Sequence, residues 1–165
     1  MLIVLGGLPA TGKTTPARLP AARVGGVPLR IGTIEQAIVR SGPARQPLGP
    51  VGHVVGYAPA EEHLRQGLTV VAESVNPLAV TRDAWRDVGV GASVPVIEVE
   101  VICSGPVEHR RRVASRSVDI PGPVLPDWQQ VLRRDYASWD REHVVVDTAR
   151  QGPGGVPRLA GPASP

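Results

Sequence analysis

One octapeptide constrains this chain more than any other feature. Gly7-Leu8-Pro9-Ala10-Thr11-Gly12-Lys13-Thr14 is a full match to G-x-x-x-x-G-K-[ST]. Glycines at its two ends let the backbone wrap so that successive N–H groups point inward at anionic oxygens. The apolar run Leu2–Leu5 precedes it and an amphipathic stretch follows, so the expected context is strand, loop, helix. A helix beginning there adds the positive end of its dipole. Gly7, Ala10, Thr11, Gly12, Lys13, Thr14 and Thr15 are therefore the candidate phosphate-binding residues. Lys13 would reach the β- and γ-phosphates of ATP or GTP, and the Thr14 hydroxyl would ligate Mg²⁺. The alternative is a chance Gly-rich turn, and a second observation weighs against it. Of 18 basic residues, Lys13 is the only lysine. A compact ammonium differs most from a guanidinium where a point charge must fit a tight phosphate cradle.

The rest of the chain alternates apolar runs with amphipathic segments, the pattern of a parallel α/β sheet. Strands are predicted at Leu2–Leu5, Val27–Ile31, Leu68–Ala72, Val96–Cys103 and Val144–Val146. Helices are predicted near Gly12–Val24, Thr33–Arg40, Val54–Gln66, Thr81–Val88, Pro106–Arg116 and Asp127–Trp139. The expected fold is a three-layer α/β/α domain with a five-stranded, mostly parallel sheet over residues 1–150. A length of 165 residues suits one domain. From Gln151 onward, Gly and Pro dominate without periodicity, and a loosely ordered tail is expected. Ser41–Gly52 and Asp119–Pro126 read as open loops, candidates for a substrate loop and a lid.

Composition narrows the class. There is no Phe, and the 19 Gly and 18 Pro leave Val, Leu, Ile and Ala to build the core. A single cysteine, Cys103, excludes an intrachain disulfide and fits a reducing compartment. No charged n-region with an apolar h-region opens the chain, and no run approaches the ~20 apolar residues of a membrane span. A cytoplasmic protein is expected. The net charge of +3 and the scarcity of aromatics (three Trp, two Tyr) argue against nucleic acid as a partner.

Two further clusters carry chemistry. Glu73 closes the apolar run Leu68–Ala72, and a carboxylate at the carboxyl end of a parallel strand lies beside the ligand crevice. There it can support Mg²⁺, the alternative being a helix cap or turn carboxylate. Ser74 and Asn76 follow, within reach of metal-bound waters or of a second substrate. Glu108-His109-Arg110-Arg111-Arg112 and then Arg116 crowd one predicted helix, with Arg112 and Arg116 four residues apart on one face. Arg133 lies beyond the second open loop. Guanidinium groups suit stacking and bidentate phosphate contacts, the alternative being a solvated basic face.

These segments together resemble small P-loop kinases related to chloramphenicol phosphotransferase, zeta toxins and gluconate kinase. More closely, they are similar to bacterial predicted kinases grouped as AAA-family ATP-binding proteins. The resemblance runs over Met1 to Thr148 and rests on GGLPATGKTT, RIGTIEQAI, VVAESVNPL, EHRRRVASR and DIPG…PDW…RDYASWD. It implies transfer of the ATP γ-phosphoryl group to a hydroxyl of a small molecule such as an antibiotic, sugar or nucleoside. It also implies that Arg112, Arg116 and Arg133 contact adenine or clamp the transferring phosphates.

The chain departs from that pattern in places. Such kinases place an aspartate just after the second strand, where it orients or deprotonates the acceptor hydroxyl; here the position is Gly32. Glu35, one turn further on, is the candidate replacement, with Arg30 or Thr33 positioning the acceptor. A positioned base is worth about 10²–10⁴ in rate, so a nucleotide-binding regulator or an NTPase with water as acceptor stands as the rival reading. Ala10 replaces a glycine common among the resembled proteins. Pro20 is expected to kink or end the helix after the loop near Leu19, whereas Pro16 falls in its first turn.

Overall fold

The computed structural model describes residues 1–14, 17, 25–42, 44, 45, 47–116 and 125–150. Five strands form one sheet: β1 (Leu2–Gly6), β2 (Val27–Arg30), β3 (Val70–Glu73), β4 (Val96–Ile102) and β5 (Val144–Asp147). Their order is β2-β3-β1-β4-β5, and all four pairings are parallel. The helices among the described residues are α1 (Ile31–Arg40), α2 (Val51–Arg65), α3 (Ala79–Gly91), α4 (Pro106–Ala114) and α5 (Trp128–Leu132). None is long and apolar enough to cross a membrane.

Alternation along β1 explains why the sheet is covered on both faces. Leu2 and Val4 pack with Val70, Ala72, Leu64 and Trp85, whereas Ile3 and Leu5 pack with Val71, Val99, Val101, Val146 and Ala17. A strand apolar at every position needs cover on both sides, the signature of a central parallel strand. The first cluster takes α2 and α3; the second includes Ala17, shortly after the phosphate-binding loop. This is the three-layer α/β/α arrangement, with β3 and β4 flanking β1. From β1 the chain runs out to β2, returns to β3 and only then crosses to β4 on the other side of β1, and at this reversal of strand order a crevice opens at the strands' carboxyl ends.

Element boundaries moved in ways that matter for the site. Ile31 already begins α1, so Gly32 sits in a first helical turn instead of a loop. β3 runs on through Glu73, which makes that carboxylate the last residue of a buried strand. α2 begins at Val51, which shortens the expected Ser41–Gly52 loop. A glycine face lets α2 approach α1: a Cβ on Gly56 would lie 2.4 Å from Ile31 Cδ1.

The largest correction concerns Asp127–Trp139. Asp127 and Gln130 form a capping box, but the helix stops at Leu132. Beyond it the chain is held by Arg82, which is 0% exposed. Its guanidinium donates to Ala137 O at 2.7 Å and Ser138 O at 3.1 Å, and lies 4.2 Å from the Trp139 ring centroid. Ala137 N–H also donates to Pro77 O at 2.8 Å. An Ala137 N–H committed to Pro77 O cannot donate to Arg133 O as a continuing helix requires, so tertiary contacts override helix propensity here. The helix predicted at Gly12–Val24 with Pro16 and Pro20, most of the Asp119–Pro126 loop and the tail from Gln151 lie outside the described residues.

Candidate active site

The loop between β1 and Thr14 owes its shape to positions that tolerate left-handed backbone. Gly7 has φ +147°, and a Cβ there would stand 2.2 Å from Val101 O. Gly12 has φ +92°. Ala10, at φ 63°, adopts the left-handed conformation with a side chain, at a cost of about 1–2 kcal/mol. Contacts from outside hold the loop in place. Gly7 N–H donates to Val75 O at 2.9 Å, His109 Nε2 donates to Pro9 O at 2.8 Å, and Thr148 Oγ1 donates to Thr11 O at 2.6 Å. His109 is buried, and its ring meets Trp128 edge-on at 5.2 Å.

Lys13 lies beneath this loop, only 9% exposed, and its Nζ donates to Gly7 O and Leu8 O, both at 2.9 Å. Burial pushes its ammonium down to about 8. Glu73 opposes the shift, and Arg116, Arg30 and Arg134 add to it. Three guanidiniums near a desolvated ammonium leave the spot short of negative charge, which is the condition for anion binding. Thr14 Oγ1 donates to Glu73 Oε1 at 3.2 Å, and Arg30 Nε stands 3.8 Å from the same oxygen. The Thr14 hydroxyl and the Glu73 carboxylate are thus two hard oxygen donors side by side, a set that fits Mg²⁺ bound through one or two protein oxygens and substrate phosphates.

Two cavities meet at Lys13. The smaller, about 170 Å³, is lined by Ala10, Gly12, Lys13, Thr14, Glu73, Arg112 and Arg116. The larger, about 540 Å³, takes in Arg30, Gly32, Glu35, Pro50, His53, Ser74, Arg116 and Arg134 besides Lys13 and Glu73. Arg112 is held outside the loop. Its Nη1 donates to Thr148 Oγ1 at 2.7 Å, its Nη2 to Thr148 O at 3.2 Å and its Nε to Glu108 Oε1 at 2.7 Å. Bonds from Arg111 and then Arg112 hold the Glu108 carboxyl at about 2. Arg116 lies just past the end of α4, exposed, and borders both cavities.

The candidate residues are therefore brought together unevenly. Lys13, Thr14, Glu73, Arg112 and Arg116 converge on one spot, with Gly7, Ala10, Thr11 and Gly12 forming the loop around it. Glu35 lines the larger cavity; burial raises its carboxyl above the ordinary range, and Arg134 pulls it partly back. Thr15 lies outside the described residues. Arg133 is exposed and does not line the larger cavity, whereas its neighbour Arg134 does. Ser74 lines the cavity; Asn76 is fully buried behind it, with neither amide atom paired among the described residues. Thr33 is exposed and borders a different cavity.

Sequence reasoning missed Arg134, His53 and Thr148. Arg134 depends on where α5 ends, and His53 on where α2 begins. Thr148 is 137 positions from Thr11, its partner, so no local signal reveals it.

Known structures share this architecture. Kti12 from Chaetomium thermophilum in complex with ADP-AlF3 superposes with a TM-score of 0.67 at 20% identity, covering 92% of both chains. A gluconokinase from Sinorhizobium meliloti 1021 gives a TM-score of 0.61 at 20% identity, covering 90% of this chain and 83% of its own. The APS kinase CysC of Mycobacterium tuberculosis, in complex with AMPPNP and APS, gives 0.59 at 14% identity over 91% of this chain and 89% of its own. The chain has the fold of the P-loop kinases. At these identities the likeness carries the fold alone. No protein-family model and no curated protein sequence matches the chain.

Proposed function

We propose that this P-loop protein is an ATP-dependent phosphotransferase that moves the γ-phosphoryl group to a hydroxyl of a small molecule. The observation that carries this reading is the shared cavity. Lys13, in the phosphate cradle, and Glu35, a carboxylate with a raised pKa, line the same 540 Å³ space. A triphosphate whose end sits at Lys13 would present its γ-phosphorus to a hydroxyl beside Glu35.

In this mechanism the loop N–H groups and Lys13 hold the β- and γ-phosphates, the ammonium exchanging the Gly7 and Leu8 carbonyls for phosphate oxygens. Thr14 and Glu73 would hold Mg²⁺, which when bound neutralises charge on the β- and γ-oxygens. Arg116, on the border of both cavities, stabilises charge on the transferring group, and Arg134 lines the larger cavity with it. Glu35 accepts the acceptor's proton as its oxygen bonds to the γ-phosphorus, and the bond to the β-phosphate oxygen breaks to release ADP. Arg112, bonded to Thr148, which in turn donates to Thr11 O, braces the cradle where the nucleoside would leave it.

A second reading follows from Gly32. It lines the cavity without a carboxylate, and an NTPase or nucleotide-binding regulator needs none there. ADP release with and without hydroxyl compounds separates the readings. Acceptor-dependent release that Lys13→Met abolishes is the expected result. Release indifferent to every acceptor refutes transfer, and tight nucleotide binding without release supports the regulator.

A further inference from the structure

The acceptor side of the 540 Å³ cavity carries a feature that phosphate chemistry does not use. Val75, Pro77, Leu78, Val80 and Thr81 line one wall of it, and two of these apolar side chains stand exposed side by side at the cavity. Leu78 is 41% exposed and Val80 67% exposed, and both line the cavity with Pro77. Leu78 also occupies the N-cap of α3, where it makes no side-chain cap bond. Ser, Thr, Asp or Asn at that position favours a helix by about 1 kcal/mol over an apolar residue. An apolar side chain that forgoes a cap and stands in water gains nothing locally. It gains when something apolar covers it.

Two polar atoms lie buried behind the same space. Ser74 is only 8% exposed, lines the cavity, and its Oγ has no partner among the described residues. His53 lines it too, with Nε2 unpaired among the described residues, and burial lowers the pKa of its ring. A buried hydroxyl without a partner costs roughly 1–3 kcal/mol unless a ligand group satisfies it. Glu35, joined by Ser74 once its hydroxyl rotates toward the cavity, offers partners for one hydroxyl. The wall of Leu78 and Val80 offers no partner to further ones.

We infer that the phosphoryl acceptor is an alcohol with an apolar body. Its hydrocarbon part rests on Leu78 and Val80, and its hydroxyl is held at Ser74 and Glu35. This rests on the phosphotransferase reading and sharpens it: a polyol with hydroxyls on every side would leave several unpaired against that wall.

The test is equilibrium binding to the full chain in the presence of Mg²⁺ and AMPPNP, with 2-phenylethanol as the apolar alcohol and glycerol and D-glucose as polyols. 2-Phenylethanol is expected to bind at least ~10-fold more tightly than either polyol. Leu78→Ser and Val80→Ser are each expected to weaken it by about 5- to 10-fold with AMPPNP affinity unchanged. Because a serine suits the α3 N-cap, Leu78→Ser keeps the fold and isolates the contact. Polyol binding equal to or tighter than that of 2-phenylethanol overturns the inference. So does no binding of 2-phenylethanol, or binding indifferent to both substitutions. The phosphotransferase reading fails separately, if AMPPNP itself does not bind or no alcohol or polyol stimulates ADP release.

Discussion

Gly52 lies over Glu35, and replacing it with alanine tests whether that carboxylate is the base. A Cβ at Gly52 would fall 2.4 Å from Glu35 Cγ, 3.0 Å from Oε1 and 3.1 Å from Cδ. Carbon atoms need about 3.5–4.0 Å, so either the helices part or Glu35 turns away. Parting is resisted one turn further along, where Gly56 holds the same close approach against Ile31. Rotation of the half-buried Glu35 side chain is the cheaper response. The net cost to stability is small, because an overpacking penalty of about 1–3 kcal/mol is offset by about 1 kcal/mol of helix propensity gained from Gly to Ala. The cost to turnover is large: a misdirected base loses about 10²–10⁴ in kcat. Nucleotide affinity is expected to stay constant, since Gly52 does not line the cradle. Steady-state ADP release with a hydroxyl acceptor, in a cycle with Glu35→Gln, makes the assay. Gly52→Ala should lower kcat nearly as far as Glu35→Gln, and the pair together no further. The wild-type profile adds a check on sign. Burial raises the Glu35 carboxyl above its usual 4.5, so it stays protonated, and kcat stays low, to a higher pH than an ordinary glutamate allows. That acid limb should vanish in Glu35→Gln. An unchanged kcat in Gly52→Ala, or a full additive loss in the double variant, refutes the reasoning.

Three other outcomes are expected. With the free Lys13 ammonium brought down to about 8, nucleotide must restore the proton at higher pH; Kd is expected to climb by up to about tenfold per pH unit above that point, and a flat titration refutes a role for Lys13 at the phosphates. Arg82→Met strips donors from the carbonyls of Asn76, Pro77, Ala137 and Ser138; it is expected to cost about 3–5 kcal/mol in urea unfolding, and a loss under about 1 kcal/mol contradicts its part in holding the chain after α5. A Cβ at Gly32 meets nothing within 4 Å, so Gly32→Asp is expected to restore at least ~10-fold of the kcat lost in Glu35→Gln; no rescue means that position does not face the hydroxyl.

The sequence by itself determined the glycine-bounded loop around Lys13 and the sheet. The Gly7–Thr14 pattern carries its own physics, because inward amides, a buried ammonium and a hydroxyl are local in the chain. Apolar runs long enough to be buried on both faces identify central parallel strands without knowledge of their partners. Glu73 was legible for the same reason, as the residue that ends such a run. Tertiary structure alone decided the lining of the larger cavity. Which of Arg133 and Arg134 borders the cavity turns on α5 ending at Leu132, and the segment beyond that end is held by Arg82, some fifty residues earlier in the chain. Thr148 joins the cradle only because β5 lies beside β4, and Glu35 meets Gly52 only because two helices pack glycine against carboxylate. The loop around Lys13 needs neighbours in sequence; the larger cavity needs neighbours in space, and single-residue shifts in helix ends are enough to change them.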